Sequence, residues 1–261
     1  MKTKERAIQR AKEKRVTLDM DSPCTIPDVV VVIPTYNEAH NLPVLYKRLL
    51  ALSIKGLGFV IIDDGSPDGT GDIAEELANE HNGYFEVLHR KQKMGLGTAY
   101  MAGFRTAFND GAKFIAQMDA DLSHPPEELP AMLKILRRAD VVVGSRYAPG
   151  GAVDPDWNIA RKLLSSFGNS WIRLLTGVRV KDATAGFKIF TRETMAKIPL
   201  ESMRISGFGF QAEMAIESKR AMCRVVEHPY TFAERSSGSS KMSVGIVLEA
   251  AWRLLMLRLT K

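Results

Sequence analysis

The stretch Asp28-Val29-Val30-Val31-Val32-Ile33-Pro34-Thr35-Tyr36-Asn37-Glu38 decides the fold class. Five consecutive β-branched residues leave no alternate position for solvent, so this strand is expected to be covered on both faces, as in the parallel sheet of an α/β protein. Residues 59–62, 114–118 and 141–143 repeat that character, and residues 84–88 supply a further strand. Helical patterns separate them at 41–52, 72–80, 98–109 and 127–138. Strand and helix alternate, which predicts right-handed βαβ crossovers, an open and mostly parallel sheet with helices on both faces, and a ligand at the carboxyl ends of the strands.

Outward from this half the pattern loosens. Residues 149–155 read as a Gly/Pro loop, 158–175 as a helix, 187–190 and 224–226 as strands, and 210–219 as a helix. The expected organisation is a basic tail and linker over 1–27, a single catalytic domain over 28–242 with halves at 28–148 and 149–242, and an amphipathic helix over 243–261. The formal charge of +6 is concentrated in the tail, where residues 1–15 hold seven Lys or Arg against two Glu. The remainder is nearly neutral, which argues against a nucleic-acid-binding domain. Two cysteines, Cys24 and Cys223, form no disulfide framework or zinc spacing. No export signal or membrane span is legible, so a cytoplasmic location is expected.

Each apolar run is followed by a polar cluster: Pro34-Thr35-Tyr36-Asn37-Glu38, Asp63-Asp64-Gly65-Ser66, Asp119-Ala120-Asp121, and Gly144-Ser145-Arg146-Tyr147. Parallel strands point the same way, so the clusters are expected to converge. Each also has a purely local reading, since Asp64-Gly65 and Pro67-Asp68-Gly69 form turns and Asn37 is a helix-capping residue type. Asp119 and Asp121, two apart in an extended segment, face one side and offer hard oxygen ligands suited to Mg²⁺ or Mn²⁺. Other chemistries lack an anchor. There is no GxxxxGK[ST], no GxGxxG after the first strand and no GxSxG. The five histidines show no ligand spacing and read as surface or hydrogen-bonded side chains.

These blocks, continued by Gly95-Leu96-Gly97-Thr98-Ala99-Tyr100, Met118-Asp119-Ala120-Asp121-Leu122-Ser123-His124-Pro125, Arg161-Lys162-Leu163-Leu164-Ser165, Asp182-Ala183-Thr184-Ala185-Gly186-Phe187 and Phe232-Ala233-Glu234-Arg235, run from about residue 29 to 241. Together they closely resemble the polyprenol-phosphate (dolichol-phosphate) mannosyltransferases, inverting glycosyltransferases of the GT-A fold. The resemblance implies transfer of mannose from GDP-mannose to a polyprenyl phosphate. It places Pro34, Thr35, Tyr36, Asn37, Glu38, Ile62, Asp64, Asp119, Ala120, Asp121, Arg146, Arg235 and Lys241 around the nucleotide sugar, with Asp64 on the base. It gives Asp119, Asp121 and Ser123 to the metal, and Arg146, Arg161 and Ser165 to the acceptor phosphate, with Asp121, Arg146, Arg161 and Arg235 as catalytic. Some relatives carry Gln at the position of Ser123, and many carry Lys at that of Ser206.

A phosphate nucleophile is already anionic, so the burden falls on electrostatics, which Arg146, Arg161 and Arg235 suit through two-pronged phosphate contacts. Each arginine could instead serve a surface salt bridge. In the closing segment Val244, Val247, Leu248, Ala251, Trp252, Leu254, Leu255 and Leu259 share one helical face, which either packs on the protein's own core or lies on a bilayer. The lipid acceptor favours the bilayer, giving a peripheral protein of the cytoplasmic membrane surface, with or without a separate membrane-spanning partner. Two rival functions are transfer of another hexose such as glucose to the same lipid and a catalytically silent nucleotide-sugar-binding membrane scaffold.

Overall fold

The computed structural model describes residues 26–203, 207 and 209–233. Among the described residues there are nine strands: β1 (Val29–Thr35), β2 (Leu57–Asp63), β3 (Phe85–His89), β4 (Phe114–Gln117), β5 (Val141–Ser145), β6 (Ala152–Val153), β7 (Lys188–Thr191), β8 (Val225–Pro229) and β9 (Thr231–Phe232). Among them run helices α1 (Asn41–Ala51), α2 (Thr70–Glu80), α3 (Leu96–Asn109), α4 (Leu129–Ile135), α5 (Ile159–Thr176), α6 (Arg192–Lys197) and α7 (Phe210–Arg220). Seven strands form one sheet in the order β3-β2-β1-β4-β7-β5-β8, and β6 pairs with β9 in a small second sheet. All neighbours in the large sheet are parallel except β7, which runs antiparallel to both β4 and β5.

The valine run of β1 alternates between two cores. Val30 and Val32 join Val60, Ile62, Tyr100 and Phe104 on one face, while Val31 and Ile33 join Leu42, Leu45, Leu49, Phe59 and Ile61 on the other. Helix α3 covers the first face so closely that a Cβ on Gly103 would stand 2.3 Å from Val32 Cγ1 and 2.7 Å from Ile62 Cδ1. A side chain of any size is excluded there.

The chain leaves β1 to one side for β2 and β3 and returns to its other side with β4, so a topological switch point lies at the carboxyl ends of β1 and β4. Crevices at such points hold ligands in open α/β sheets. Three local readings change. The expected helix over 127–138 is a 3₁₀ turn at Pro126–Glu128 followed by the shorter α4, because Pro126 and Pro130 fit only the first turn of a helix. The 149–155 loop contains β6, whose partner β9 follows 79 positions further along in register and left no local trace. Asn37 does not cap α1: His40 holds that position, with no side-chain bond. The tail, Cys24, Ser206 and the segment 243–261 lie outside the described residues.

Candidate functional site

The loops after β1 and β2 are laced together by hydrogen bonds. Ser66 Oγ accepts from Asn37 N at 3.0 Å, Thr70 Oγ1 from Glu38 N at 2.9 Å, and Asp68 Oδ2 from Ala39 N at 3.1 Å. Asn37 takes a positive φ of 60° to make the turn, which asparagine tolerates better than most residues. Tyr36 receives the Lys93 ammonium 4.1 Å above its ring. Glu38 Oε2 accepts from Asn41 Nδ2 at 2.7 Å. The adjacent acids then divide their labour. Asp63 is structural, with Oδ1 accepting from Ser66 Oγ at 2.5 Å. Asp64 is buried and forms an ion pair with Arg90 at 2.7 Å; burial raises its pKa, and Arg90 opposes that shift. Thr35 is buried beneath this loop, its hydroxyl donating to Ile62 O at 3.3 Å.

Ile62 departs from expectation. Its side chain is fully buried against α3, so it supports the nucleotide-side loop from the core and offers no surface to a ligand.

The acidic pair follows β4. Tyr100 Oη, from α3, donates to Asp119 Oδ1 at 2.6 Å, and Asp119 N donates to His124 Nδ1 at 3.1 Å. Ser123 donates to Asp121 Oδ1 twice, from N at 3.1 Å and from Oγ at 2.6 Å. The strand ends at Gln117 and the chain turns before Ser123, with Leu122 at φ 64°. Both carboxylates act on Tyr100: burial first, then Asp119 and Asp121, raise its hydroxyl well above its ordinary pKa. Ala120 is buried between them. Opposite, Gly186 leaves a gap that a Cβ would close to 3.1 Å from Asp119 Oδ2 and 3.0 Å from the His124 ring.

The donor set fits a hard divalent ion, being two carboxylates whose mutual repulsion a cation would relieve. Among the described residues no cluster of three or more Asp, Glu, His or Cys stands as a complete metal cage, which suits an ion that takes its remaining ligands from water and phosphate. Ser123 is 1% exposed and spends its proton on Asp121. It therefore orients that carboxylate.

Arg146 follows β5. Its Nε and Nη2 grip Asp182 Oδ2 and Oδ1, both at 2.7 Å, and Nη2 reaches Thr184 Oγ1 at 3.0 Å. The two-pronged edge expected to meet phosphate is thus occupied by a buried carboxylate. Burial works against the guanidinium's charge, but Asp182 outweighs it and holds the proton more firmly than usual. Arg161 lies in the first turn of α5, its guanidinium 3.8 Å over the Trp157 ring. Ser165, one turn further on the same helix face, accepts from Tyr147 Oη at 2.7 Å. Arg235 and Lys241 lie outside the described residues.

Sequence reasoning gave no role to the layer beneath. Lys188, 1% exposed on β7, donates to Gln211 Oε1 at 2.8 Å and Gln211 O at 3.1 Å. Gln117 Nε2 joins the same Gln211 oxygen at 2.8 Å and Gly186 O at 2.9 Å. Burial lowers the Lys188 pKa to about 7, against the pull of Asp182 and Asp119. Asp182 and Gly186 sit in one of the motif blocks, but nothing in their spacing announced what they touch.

Comparison with known proteins places this arrangement. The profile described as glycosyl transferase family 2 matches residues 30–198. An undecaprenyl-phosphate mannosyltransferase of Micrococcus luteus is 44% identical over 222 residues, covering 85% of this chain and 90% of that protein. A polyprenol monophosphomannose synthase of Mycolicibacterium smegmatis is 42% identical, covering 86% of this chain and 84% of its own. Among solved structures, glucosyl-3-phosphoglycerate synthase of Mycobacterium tuberculosis in complex with Mn²⁺, UDP and glucosyl-3-phosphoglycerate superposes with a TM-score of 0.63. It is 16% identical and covers 89% of this chain and 78% of that one, a likeness of fold.

Proposed function

The chain belongs to glycosyl transferase family 2 and, within it, to the polyprenyl-phosphate mannosyltransferases; from that premise we propose that it moves mannose from GDP-mannose to the phosphate of a polyprenyl lipid at the cytoplasmic surface of a membrane. The observation that carries the reading is the acidic pair Asp119 and Asp121 at the β1/β4 switch point, flanked by Asp64 on the β2 side and Arg161 with Ser165 on the β5 side. In the reaction an acceptor phosphate oxygen attacks the anomeric carbon in line. The bond from that carbon to the diphosphate breaks, GDP leaves with the electron pair, and the α linkage becomes β.

The oxygen is anionic near neutral pH, so no residue has to remove a proton from it. Asp64, held by Arg90, faces the nucleotide side. Asp119 and Asp121 would hold Mg²⁺ or Mn²⁺, which when bound neutralises charge building on the departing diphosphate. Tyr100 and Ser123 fix those two carboxylates, and the His124 ring holds the Asp119 backbone N–H, so little reorganisation remains at the moment of transfer. Arg161 brings charge to the acceptor phosphate, with Ser165 alongside. Arg146 shapes the floor through Asp182. By the motif resemblance Arg235 and Lys241 add cations from the following segment. A separate membrane-spanning partner is compatible with this arrangement.

Purified protein supplied with Mg²⁺ or Mn²⁺, polyprenyl phosphate and either GDP-mannose, GDP-glucose or UDP-glucose should form a mannosyl lipid and GDP from the first donor in preference to the others. Asp121→Ala should lower that turnover by at least about 100-fold, the scale of losing a strong electrostatic stabiliser. Preferential use of UDP-glucose, or near-normal turnover in a folded Asp121→Ala protein, would overturn the assignment.

A further inference from the structure

The small sheet of β6 and β9 builds a platform beside the acceptor side of the site. Ala152 N donates to Tyr230 O at 3.1 Å and Asp154 N to Phe232 O at 2.9 Å, and the turn after β6 sets Trp157, 5% exposed, edge to face with the Phe232 ring at 5.5 Å and 75°. Lys162 Nζ, from α5, closes that turn by donating to Pro155 O at 3.0 Å. Phe232 is the hub of the platform. Its ring lies 5.8 Å from that of His124, which holds the Asp119 N–H, and 5.3 Å from the Arg146 guanidinium. Arg161 rests on Trp157, its guanidinium 3.8 Å from the ring centre, and its backbone N–H donates to Asn158 Oδ1 at 3.0 Å. Ring contacts therefore run from Arg161 through Trp157, Phe232 and His124 to the backbone of Asp119. The Trp157 indole N–H is buried without a partner among the described residues, so this side chain contributes through its ring and not through a hydrogen bond.

We propose that Trp157 is a positioning residue of the transfer reaction: its ring, braced by Phe232, holds Arg161 at a set place relative to Asp119, so that the guanidinium is already ordered when the acceptor phosphate arrives. A half-buried arginine in the first turn of a helix has several rotatable bonds to freeze on meeting a phosphate. One that is ordered beforehand has less to lose. The manner of holding also suits the task. Contact with a ring face spends none of the guanidinium's N–H donors on the contact, whereas Arg146 spends Nε and Nη2 on Asp182. The same platform carries the His124 contact to Asp119, so the cation for the acceptor and the acid on the donor side are referred to one rigid group of rings. This rests on the reading that the acceptor is a polyprenyl phosphate.

The test compares Trp157→Leu and Trp157→Phe in the full chain, with Mg²⁺, GDP-mannose and geranyl phosphate. Trp157→Leu removes the ring face, and its KM for geranyl phosphate should rise about five- to tenfold, the reach of one partly desolvated contact between a cation and a ring, while the KM for GDP-mannose stays within about twofold. A merely structural role would lower the folded fraction, and kcat with it, and would move neither KM. Trp157→Phe keeps a ring without the indole N–H and should hold the acceptor KM within about threefold of wild type. In an Arg161→Ala background Trp157→Leu should add nothing further to the acceptor KM, because the ring acts through that arginine. Should Trp157→Leu fold poorly, the nuclear magnetic resonance spectrum of wild type gives a second measurement. The Trp157 ring current should move one arginine side-chain resonance upfield, and that resonance should vanish in Arg161→Lys and move part of the way back in Trp157→Phe. An unchanged acceptor KM in folded Trp157→Leu, equal rises for both substrates, an additive effect in Arg161→Ala, or no shifted arginine resonance overturns the proposal. If wild type binds geranyl phosphate at least about fivefold more tightly than Trp157→Leu by calorimetry, yet transfers mannose neither to it nor to a long polyprenyl phosphate, the positioning stands and the assigned reaction fails.

Discussion

At the scale of single residues, three buried charges in and beneath the site are handled in two ways. Asp64 has Arg90, Arg146 has Asp182, and Lys188 has only amide and carbonyl oxygens in direct contact. A buried ammonium without a touching carboxylate is costly, and the cost has a pH signature. Burial places the folded-state pKa of Lys188 at about 7, below its ordinary 10.5. Between those values the unfolded chain binds a proton that the folded chain does not, so stability rises with pH across this window. Below about pH 7 both states hold the proton and the fold bears the full cost. Denaturant melts at pH 6.5 and 8.5 should therefore show wild type gaining stability relative to Lys188→Met, by roughly 2 kcal/mol at most. A constant difference between the two proteins would mean that Lys188 does not change its protonation in this range.

At the scale of elements, the contact between α3 and the β1–β2 pair carries a second prediction. Gly103→Ala gains up to about 1 kcal/mol of helix propensity, but the new methyl meets Val32 Cγ1 at 2.3 Å. Valine branches at Cβ and cannot swing its methyl aside, so overpacking of about 1–3 kcal/mol outweighs the gain. The variant should melt several degrees lower while keeping its far-ultraviolet spectrum; an equal or higher midpoint would show that α3 can lift off the sheet. Elements of this kind were legible because their signals are local. The valine run of β1 and the Leu42, Leu45 and Leu49 spacing of α1 each state their burial within a dozen residues. The short β6 and β9 were not, since neither two-residue strand has a pattern without its distant partner. The same divide runs through the site. Acids at strand ends could be read from the sequence, whereas the Asp182 grip on Arg146 spans 36 positions and the Lys188–Gln211 contact is made only when β7 enters the sheet.

At the scale of the whole molecule, the two halves of the chain are interleaved more deeply than a boundary near residue 148 suggests. Strand β7, from the second half, lies between β4 and β5 of the first and pairs with both. Without it, β4 and β5 have no common neighbour and the seven-stranded sheet is cut through its middle. Strand β8 also comes from the second half and covers the outer edge of β5. The carboxylates after β4 and the Arg146–Asp182 pair after β5 are thus held in register by a strand that belongs, in chain order, to the other half. A fragment of residues 28–148 should accordingly fail to fold, leaving both edges of the valine-rich β5 and one edge of β4 unpaired, which favours aggregation. The full chain should unfold in one cooperative step, with far-ultraviolet dichroism and tryptophan fluorescence losing signal at the same denaturant concentration. A soluble fragment 28–148 with dispersed amide resonances, or two separated transitions in the full chain, would show that the nucleotide side is an autonomous unit and that β7 merely docks on it.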